Sequence, residues 1–219
     1  MSAMASAETE VGSGRHGGHT RRGEAQCAAL VHAAFDLIAE RGFEGLRTRD
    51  VAARAGVNIA TLHYYFATKE LLIRAVMNAL VEQFQIRRAP DLAAQPRHPL
   101  IELRQELQDV EYQVRESPEL FAVLFELTTR SLRDPAIKAI MRDTEAHFQE
   151  HIASYLRAGV EQGEFRSDLD VAAAAAGLVA LVIGSAIQLM TNPDAFPAER
   201  FNAEIERWLT GLPSAKTKR

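Results

Sequence analysis

Two stretches of the sequence carry side chains whose types and spacing could do chemistry. The first, His147-Phe148-Gln149-Glu150-His151, matches the H-x-x-E-H pattern of one class of zinc peptidases. Two histidines four residues apart on a helix can chelate one ion, and the glutamate between them can act as a base. The sequence shows no third ligand, so we expect no metal and no cofactor. A helical metalloprotein or metalloenzyme using this string is the alternative function.

The second stretch, residues 48–70, has the sequence TRDVAARAGVNIATLHYYFATKE. Its middle part would present hydrogen-bonding and flat side chains on the outer face of a short helix: Asn58, Ile59, Thr61, His63 and Tyr64. Side chains of these types suit the edges of DNA bases and the phosphate backbone. We therefore expect a DNA-binding surface here, with a helical hairpin that touches no nucleic acid as the plainer alternative.

Small and apolar residues around that face predict the helix-turn-helix that would hold it. The residues spaced for a core shared by two short helices are Val51, Ala55, Val57, Leu62 and Tyr65. Thr48 is placed to cap the first helix, and Gly56 supplies the positive φ that a tight turn needs. Ala52 is small where the two helices must cross closely.

The remaining sequence also has helical periodicity. Apolar side chains between Cys27 and Ile38 recur at three- and four-residue spacing, and three prolines between Ala89 and Pro99 predict a loop. Ser117-Pro118 and Asp134-Pro135 each place a capping residue before a proline, which favours two helix starts. No alternation typical of strands competes with this pattern, so we predict an all-α fold of about nine helices.

The composition is typical of a globular protein of a reducing compartment. The 219 residues carry a formal net charge of −4 and are 47% hydrophobic, which excludes a disordered or fibrous chain. The single cysteine, Cys27, permits no intramolecular disulfide, and the first residues lack the apolar core of a signal peptide, so we expect a cytoplasmic protein. The run from Val171 to Met190 is the one membrane candidate, but Gly177 and Gly184 interrupt it and favour a buried helix.

From Arg22 to about Phe84 the chain resembles the TetR family of bacterial repressors. The family's F-x-G segment is present as Phe43-Glu44-Gly45. Its threonine followed by A-x-x-A-G-V is present from Thr48 to Val57. The pattern G-T-L-Y-x-(Y/H)-F-x-(S/T/N)-K-E-x-L is present from Ala60 to Leu72 with two departures. Ala60 replaces the glycine that the family often has, and His63 replaces its usual tyrosine.

The resemblance implies an N-terminal three-helix helix-turn-helix DNA-binding domain joined to a larger helical ligand-binding and dimerisation domain. We expect a flexible arm over residues 1–21, the DNA-binding domain over 22–67, a connecting helix over 68–88, the ligand-binding and dimerisation domain over 98–212 and a tail over 213–219. The implied protein is a transcriptional regulator and not an enzyme. It would be a repressor that binds a palindromic operator in double-stranded DNA as a homodimer and is released by a small-molecule effector, with no membrane partner. A ligand-binding module whose helix-turn-helix no longer binds DNA is a further alternative.

Carried over by position, the resemblance also assigns the DNA contacts. Thr48 resembles the family's capping and phosphate-contacting threonine, and Arg49 resembles an arginine that reads a guanine edge in some members. The expected DNA-binding residues are Thr48, Arg49, Asn58, Ile59, Ala60, Thr61, His63, Tyr64 and Lys69. We expect Phe66 to pack against the first helix instead of touching DNA.

The resemblance places the ligand cavity and the dimer interface in the C-terminal domain. Residues on helices that line the family's cavity are Phe84, Tyr112, Phe121, Phe125, His147, Phe148 and Tyr155. The expected dimerisation residues on the last two helices are Ala173, Gly177, Ala180, Gly184, Ile187, Ile205, Trp208 and Leu209. The small residues would permit close approach of two helices. The plainer alternative is that the alanine-rich helix is the buried centre of a monomer.

Overall fold

The computed structural model of the protein describes residues 14–86, 98–194 and 196–211. Within these ranges the chain forms nine α-helices, one 3-10 turn and no strand, which confirms the all-α prediction. The N-terminal elements are α1 (Gly14–Arg41), the 3-10 turn (Phe43–Gly45), α2 (Thr48–Arg54), α3 (Ile59–Tyr65) and α4 (Lys69–Ile86). The C-terminal helices are α5 (Pro99–Glu116), α6 (Pro118–Ser131), α7 (Pro135–Glu161), α8 (Val171–Thr191) and α9 (Ala198–Thr210). The predictions for residues 1–13, 87–97 and 212–219 lie outside the described residues.

Side-chain caps fix where several helices begin. Asp134 accepts hydrogen bonds from the backbone N–H groups two and three residues ahead, at 3.1 and 3.3 Å, and so starts α7. These bonds, with the Arg130 guanidinium, hold the pKa of Asp134 below its usual value. Asp170 accepts from a backbone N–H at 3.0 Å to start α8, and Thr68 accepts from Leu71 N at 3.3 Å to start α4. The predicted cap at Asp134 is confirmed.

The first residues of three helices, α1, α2 and α5, differ from the prediction. Residues 14–21, expected to belong to a flexible arm, are part of α1, because each residue added to an anchored helix brings its own backbone hydrogen bond. Thr48 is not a cap but the first residue of α2, since the Arg47 carbonyl accepts the N–H groups of Asp50 and Val51. Pro99 opens α5 instead of ending the loop.

The first hydrophobic core joins the N-terminal helices to α6 and α7. Its fully buried members from α1 to α4 include Leu30, Leu37, Val51, Leu62, Leu72, Val76 and Leu80, and those from α6 and α7 include Val123, Leu127, Ile137 and Ile140. Phe66 belongs to this core, as predicted. Because the same side chains stabilise both parts, the N-terminal helices are held in place by the C-terminal ones.

The second core is formed by α5, α7, α8 and α9. Helix α8 is long and apolar enough to cross a membrane by length and composition. However, one side of it, including Ala174, Ala175 and Leu178, is buried in this core, as the interrupted sequence predicts. Ile205 and Leu209 of α9 are also buried here, 4% and 0% exposed. Both predicted dimerisation residues are thus packed within their own protomer, because α9 turns this apolar side toward the second core, and their contact with a second protomer stays a prediction.

Close packing also fixes the end of α7. The chain turns back after α7, and the buried Phe165 lies over Gly159. A Cβ atom on Gly159 would lie 2.1 Å from Cδ2 of the Phe165 ring. Only a glycine therefore permits this contact without a shift of the ring.

We predict that Gly159→Ala lowers the free energy of unfolding by about 1–3 kcal/mol, the usual result of overpacking a core. This loss would exceed the gain of about 1 kcal/mol that alanine brings to a helix. Urea denaturation followed by circular dichroism measures the change. The double variant Gly159→Ala/Phe165→Leu should recover part of the loss. A single variant as stable as the unmodified protein would contradict the contact.

Candidate nucleic-acid interface and ligand cavity

The helix-turn-helix has the geometry that its sequence predicts. Gly56 adopts a φ of 68°, a left-handed conformation that glycine tolerates best, and it separates α2 from α3. The N–H of Val57 donates to the Ala52 carbonyl at 3.0 Å and closes the turn. Val51 and Leu62 are 0% and 1% exposed and form the contact between the two helices. The short helices are therefore fixed relative to each other.

Polar contacts attach the helix-turn-helix to α1. The Arg54 guanidinium donates two hydrogen bonds, of 2.8 and 2.7 Å, to the two carboxylate oxygens of Glu40. This pairing lowers the pKa of Glu40 below its usual value. The Tyr65 hydroxyl donates to Gln26 Oε1 at 3.3 Å. Arg54 thus connects α2 to α1, although it remains exposed to solvent.

The outer face of α3 is exposed over most of its length. Tyr64 is 82% exposed and Ile59 is 38% exposed, and Ala60 and His63 are exposed beside them. Arg49, from α2, is also exposed, whereas Thr48 and Thr61 are half-buried. The predicted contact residues thus lie at or near one surface. Their contact with DNA stays a prediction.

Asn58 has a structural role that the sequence interpretation missed. It is the N-cap of α3, and its Oδ1 accepts hydrogen bonds from the Thr61 N–H at 2.8 Å and the Thr61 hydroxyl at 3.0 Å. Asparagine is among the most favourable N-cap residues, and its place directly before the helix was the available signal. Asn58 therefore fixes the start of α3 itself.

Lys69 does not extend into solvent. Its ammonium lies 4.0 Å from the centre of the Phe43 ring, and the Arg130 guanidinium lies 4.7 Å from the same centre. Partial burial lowers the pKa of Lys69 below its usual value. To contact a phosphate, as predicted, Lys69 would have to leave this ring.

A polar clamp connects α6 to the N-terminal helices through the 3-10 turn. The backbone N–H of Phe43 donates to Glu126 Oε1 at 2.8 Å. Arg130 donates to Glu44 at 2.6 Å and to Asp134 at 3.1 Å. We refer to Glu126 and Arg130, with the 3-10 turn that they hold, as the α6 clamp. A movement of α6 along its axis would change these bonds directly.

A cavity of about 100 Å³ lies in the C-terminal half of the protein. Its lining includes Phe84, Glu106, Asp109, Val110, Gln113, Phe121, Leu124, Phe148, His151, Ile152, Val179, Val182 and Ile183. Three aromatic residues predicted from the resemblance are among them, Phe84, Phe121 and Phe148. The lining comes from α4 to α8, so several helices meet around this space.

Four other predicted ligand residues do not line this cavity. Tyr112 and Phe125 are half-buried elsewhere, and His147 and Tyr155 line separate clefts. The sequence interpretation also missed the polar part of the lining, Glu106, Asp109 and Gln113. These residues are three and four positions apart and therefore share one side of α5. Polar residues that interrupt an otherwise apolar helix face were the signal that would have found them.

The H-x-x-E-H string does not form a metal centre. His151 Nε2 lies 3.1 Å from Glu106 Oε1 beside the cavity, whereas His147 is exposed, and Glu150 pairs with Arg157. Among the residues that the structure describes, no group of three or more His, Cys, Asp and Glu side chains could hold a metal ion. The metalloenzyme alternative therefore has no structural support.

Helix α8 has a second side that none of the described residues covers. Ala173, Ala180 and Ile187 are exposed, and no heavy atom of the described residues lies within 4 Å of a Cβ placed on Gly177 or Gly184 beyond the helix's own neighbouring backbone. Five of the eight predicted dimerisation residues thus form one open face, which we call the α8 face. Trp208, on α9, is 44% exposed.

The chain matches two family models that together span most of it. Residues 30–76 match the model for bacterial regulatory proteins of the tetR family, and residues 99–213 match the model for the C-terminal part of BetI-type transcriptional repressors. The HTH-type transcriptional repressor KstR2 of Mycobacterium tuberculosis is 27% identical over 153 residues, which are 70% of this chain and 73% of the relative.

Solved structures share the fold. Salmonella enterica GusR superposes with a TM-score of 0.70 at 18% identity, over 84% of this chain and 95% of that one. A Saccharomonospora viridis protein, solved in complex with choline, superposes with a TM-score of 0.64 at 25% identity, over 84% and 95% of the two chains. These likenesses agree with the arrangement of helices described above.

We predict that the two roles of Asn58 can be separated by substitution. Asn58→Ala removes the cap and should lower the free energy of unfolding by about 0.5–2 kcal/mol. Asn58→Asp keeps a capping oxygen, so stability should stay close to that of the unmodified protein, while the new negative charge should weaken binding to DNA. Thermal unfolding and fluorescence anisotropy with labelled duplex DNA measure the two effects. DNA affinity unchanged in Asn58→Asp would place Asn58 away from the DNA.

Proposed function

The chain belongs to the TetR family of bacterial regulatory proteins and is a transcriptional regulator, and from this premise we propose that it represses transcription by binding a palindromic operator as a homodimer. A small molecule in the cavity would release the operator. The helix-turn-helix carries the proposal, because its exposed outer face belongs to a domain that shares a core with the cavity helices. Such a protein would act in the cytoplasm on bacterial DNA, with no catalytic step.

Exposed residues of α2 and α3 are the proposed DNA contacts. Arg49 is exposed and forms no ion pair with any described residue, so its guanidinium is available for a guanine edge or a phosphate. The other proposed contacts are Thr48, Ile59, Ala60, Thr61, His63 and Tyr64, with Asn58 as the cap that orders them. Lys69 joins them only when it leaves the Phe43 ring.

The α8 face is the proposed surface for dimerisation. Ile187 on this face and Leu181 at its edge are 45% and 39% exposed, and neighbouring exposed apolar residues are typical of an interface. The small residues beside them let a second helix approach closely. A two-fold dimer would present its recognition helices to successive major grooves about 34 Å apart, which suits a palindromic site.

Helix α6 is the proposed path from the cavity to the DNA-binding helices. Phe121 and Leu124 line the cavity, and Glu126 and Arg130, two and six residues beyond Leu124 on the same helix, form the α6 clamp. An effector that moves the cavity wall would therefore also move the clamp. For release, the effector must bind more tightly to the arrangement of helices that does not fit the operator. The factor by which the effector weakens operator binding must then equal the factor by which the operator weakens effector binding.

We expect the purified full-length protein to enrich a palindromic sequence from a pool of random DNA duplexes. The logarithm of its affinity for that sequence should fall with the logarithm of the salt concentration, with a slope of about −0.9 per phosphate contact. Anisotropy titrations at several salt concentrations give the slope. No enrichment, together with weak binding to all duplexes, would leave the protein as a ligand-binding module and would overturn the repressor proposal.

Arg49→Ala provides a sharper version of the same test. If Arg49 reads a base, the variant should lose about 1–3 kcal/mol of binding free energy and relax the preference at one base pair of each half-site. Arg142→Ala, which removes an exposed arginine from α7, is the matched control and should leave the selected sequence unchanged. An equal loss on every sequence would assign Arg49 to the phosphate backbone.

Ala180→Glu tests the proposed dimer. A charged side chain in the centre of the α8 face should separate the protomers and greatly weaken operator binding, because one protomer contacts only one half-site. Sedimentation velocity and operator titration measure the two effects. Ala146→Glu, the same substitution at an exposed position of α7, is the control and should remain dimeric. A dimeric Ala180→Glu variant would show that another surface holds the protomers together.

A further inference from the structure

The N-terminal part of α1 lies directly against the end of α3. A Cβ atom placed on Gly23 would be 3.2 Å from the hydroxyl oxygen of Tyr65, the last residue of α3. The same hydroxyl donates a hydrogen bond to Gln26 Oε1, three residues further along α1. Both contacts lie within one turn of α1, so this part of the helix is fixed beside the last turn of α3.

Tyr65 also connects this part of α1 to the outer face of α3. Its ring meets the Tyr64 ring edge to face, with the ring centres 5.1 Å apart. Tyr64 is 82% exposed and is one of the proposed DNA contacts. The N-terminal part of α1 is therefore separated from the proposed DNA surface by one side chain.

Arg22 is the charged residue of α1 that lies on this side of the helix. Successive residues of an α-helix are about 100° apart, so Arg22, four residues before Gln26, lies only about 40° around the helix from it. Arg21 lies about 140° from Gln26 and thus on the other side of α1. Both arginines are exposed. The position of Arg22 therefore places a positive charge beside the end of α3.

The end of α3 is also where a DNA phosphate is expected. In a helix-turn-helix, the first residues of the recognition helix contact base edges in the major groove. Helix α3 has seven residues and is about 10 Å long, comparable with a groove about 12 Å wide. Its last turn would therefore lie toward the edge of the groove, where the phosphate backbone runs. An arginine stays charged at neutral pH and donates strong hydrogen bonds to phosphate oxygens.

We propose that Arg22 binds a backbone phosphate at each half-site, so that α1 contacts the operator together with α2 and α3. The inference rests on the proposed function, because it adds a residue to the proposed DNA surface. A phosphate contact fixes the position of the protein on the duplex and carries no direct base information. Arg22 therefore strengthens and orients binding, and the choice of sequence is left to α2 and α3.

Arg22→Ala tests the contact through the salt dependence of binding to the enriched palindrome. The slope should become shallower by about 0.9 for each lost phosphate contact, which is about 1.8 for a dimer, while the selected sequence should stay the same. Arg22→Lys keeps the charge and should keep the slope. Circular dichroism confirms that both variants are folded. An unchanged slope in Arg22→Ala would overturn the proposal, and so would a changed base preference, which would make Arg22 a base contact.

Arg21→Ala is the matched control. It removes the same side chain from the neighbouring exposed position on the other side of α1, and the salt slope should stay close to that of the unmodified protein. Equal reductions of the slope in Arg21→Ala and Arg22→Ala would indicate a general effect of positive charge at this part of α1. That result would overturn the assignment of a phosphate to Arg22.

Ethylation of single phosphates locates the contact on the DNA. At one phosphate in each half-site, ethylation should weaken binding of the unmodified protein but have no further effect on Arg22→Ala, because the contact is already lost. The remaining phosphates that matter to the unmodified protein should matter equally to the variant. The same set of sensitive phosphates in both proteins would show that Arg22 contacts none of them.

The selection experiment separates this proposal from the proposed function. A protein that enriches a palindrome but has the same salt slope in Arg22→Ala is a sequence-specific regulator without the Arg22 contact. If no palindrome is enriched, the slopes are measured on a duplex of mixed sequence. A shallower slope in Arg22→Ala would then support the phosphate contact without the repressor function, and an unchanged slope would overturn both.

Discussion

The apolar core that α1 to α4 share with α6 and α7 holds the DNA-binding helices in a defined position relative to the cavity. Apolar burial supplies most of the stability of such a contact, but it is not directional. The α6 clamp adds direction, because the Phe43 N–H donates to Glu126 and Arg130 bonds to Glu44. A change in the position of α6 must therefore either carry the DNA-binding helices with it or break these bonds.

Helix α5 buries polar as well as apolar side chains. Helix α5 buries Leu103 and Leu107 and, next to them, Gln105 and Asp109. Leucines at the polar positions would pack without the loss of solvation that a carboxylate suffers. Buried polar groups that line a cavity are typical of sites that exchange stability for ligand specificity.

Local signals in the sequence predicted the helix-turn-helix, because Ala52, Gly56 and the core residues around them lie within one short segment. The cavity depended on long-range contacts, so its carboxylates were missed even though the resemblance placed three of its phenylalanines. The same limit explains Ile205 and Leu209. Their spacing correctly indicated an apolar side of α9, but spacing cannot tell whether that side faces its own protomer or a second one. Asn58 shows a different limit, since a polar residue at a helix start can serve as cap, as contact or as both.

Trp208 is the single tryptophan of the chain and stands on α9, 44% exposed. Its indole is therefore partly in water in the isolated protomer. If the last two helices form the dimer interface, association would move this ring into a drier environment and shift its emission to shorter wavelength. The protein would then carry its own optical reporter of assembly, which needs no label and is distinguishable from the four tyrosines by selective excitation.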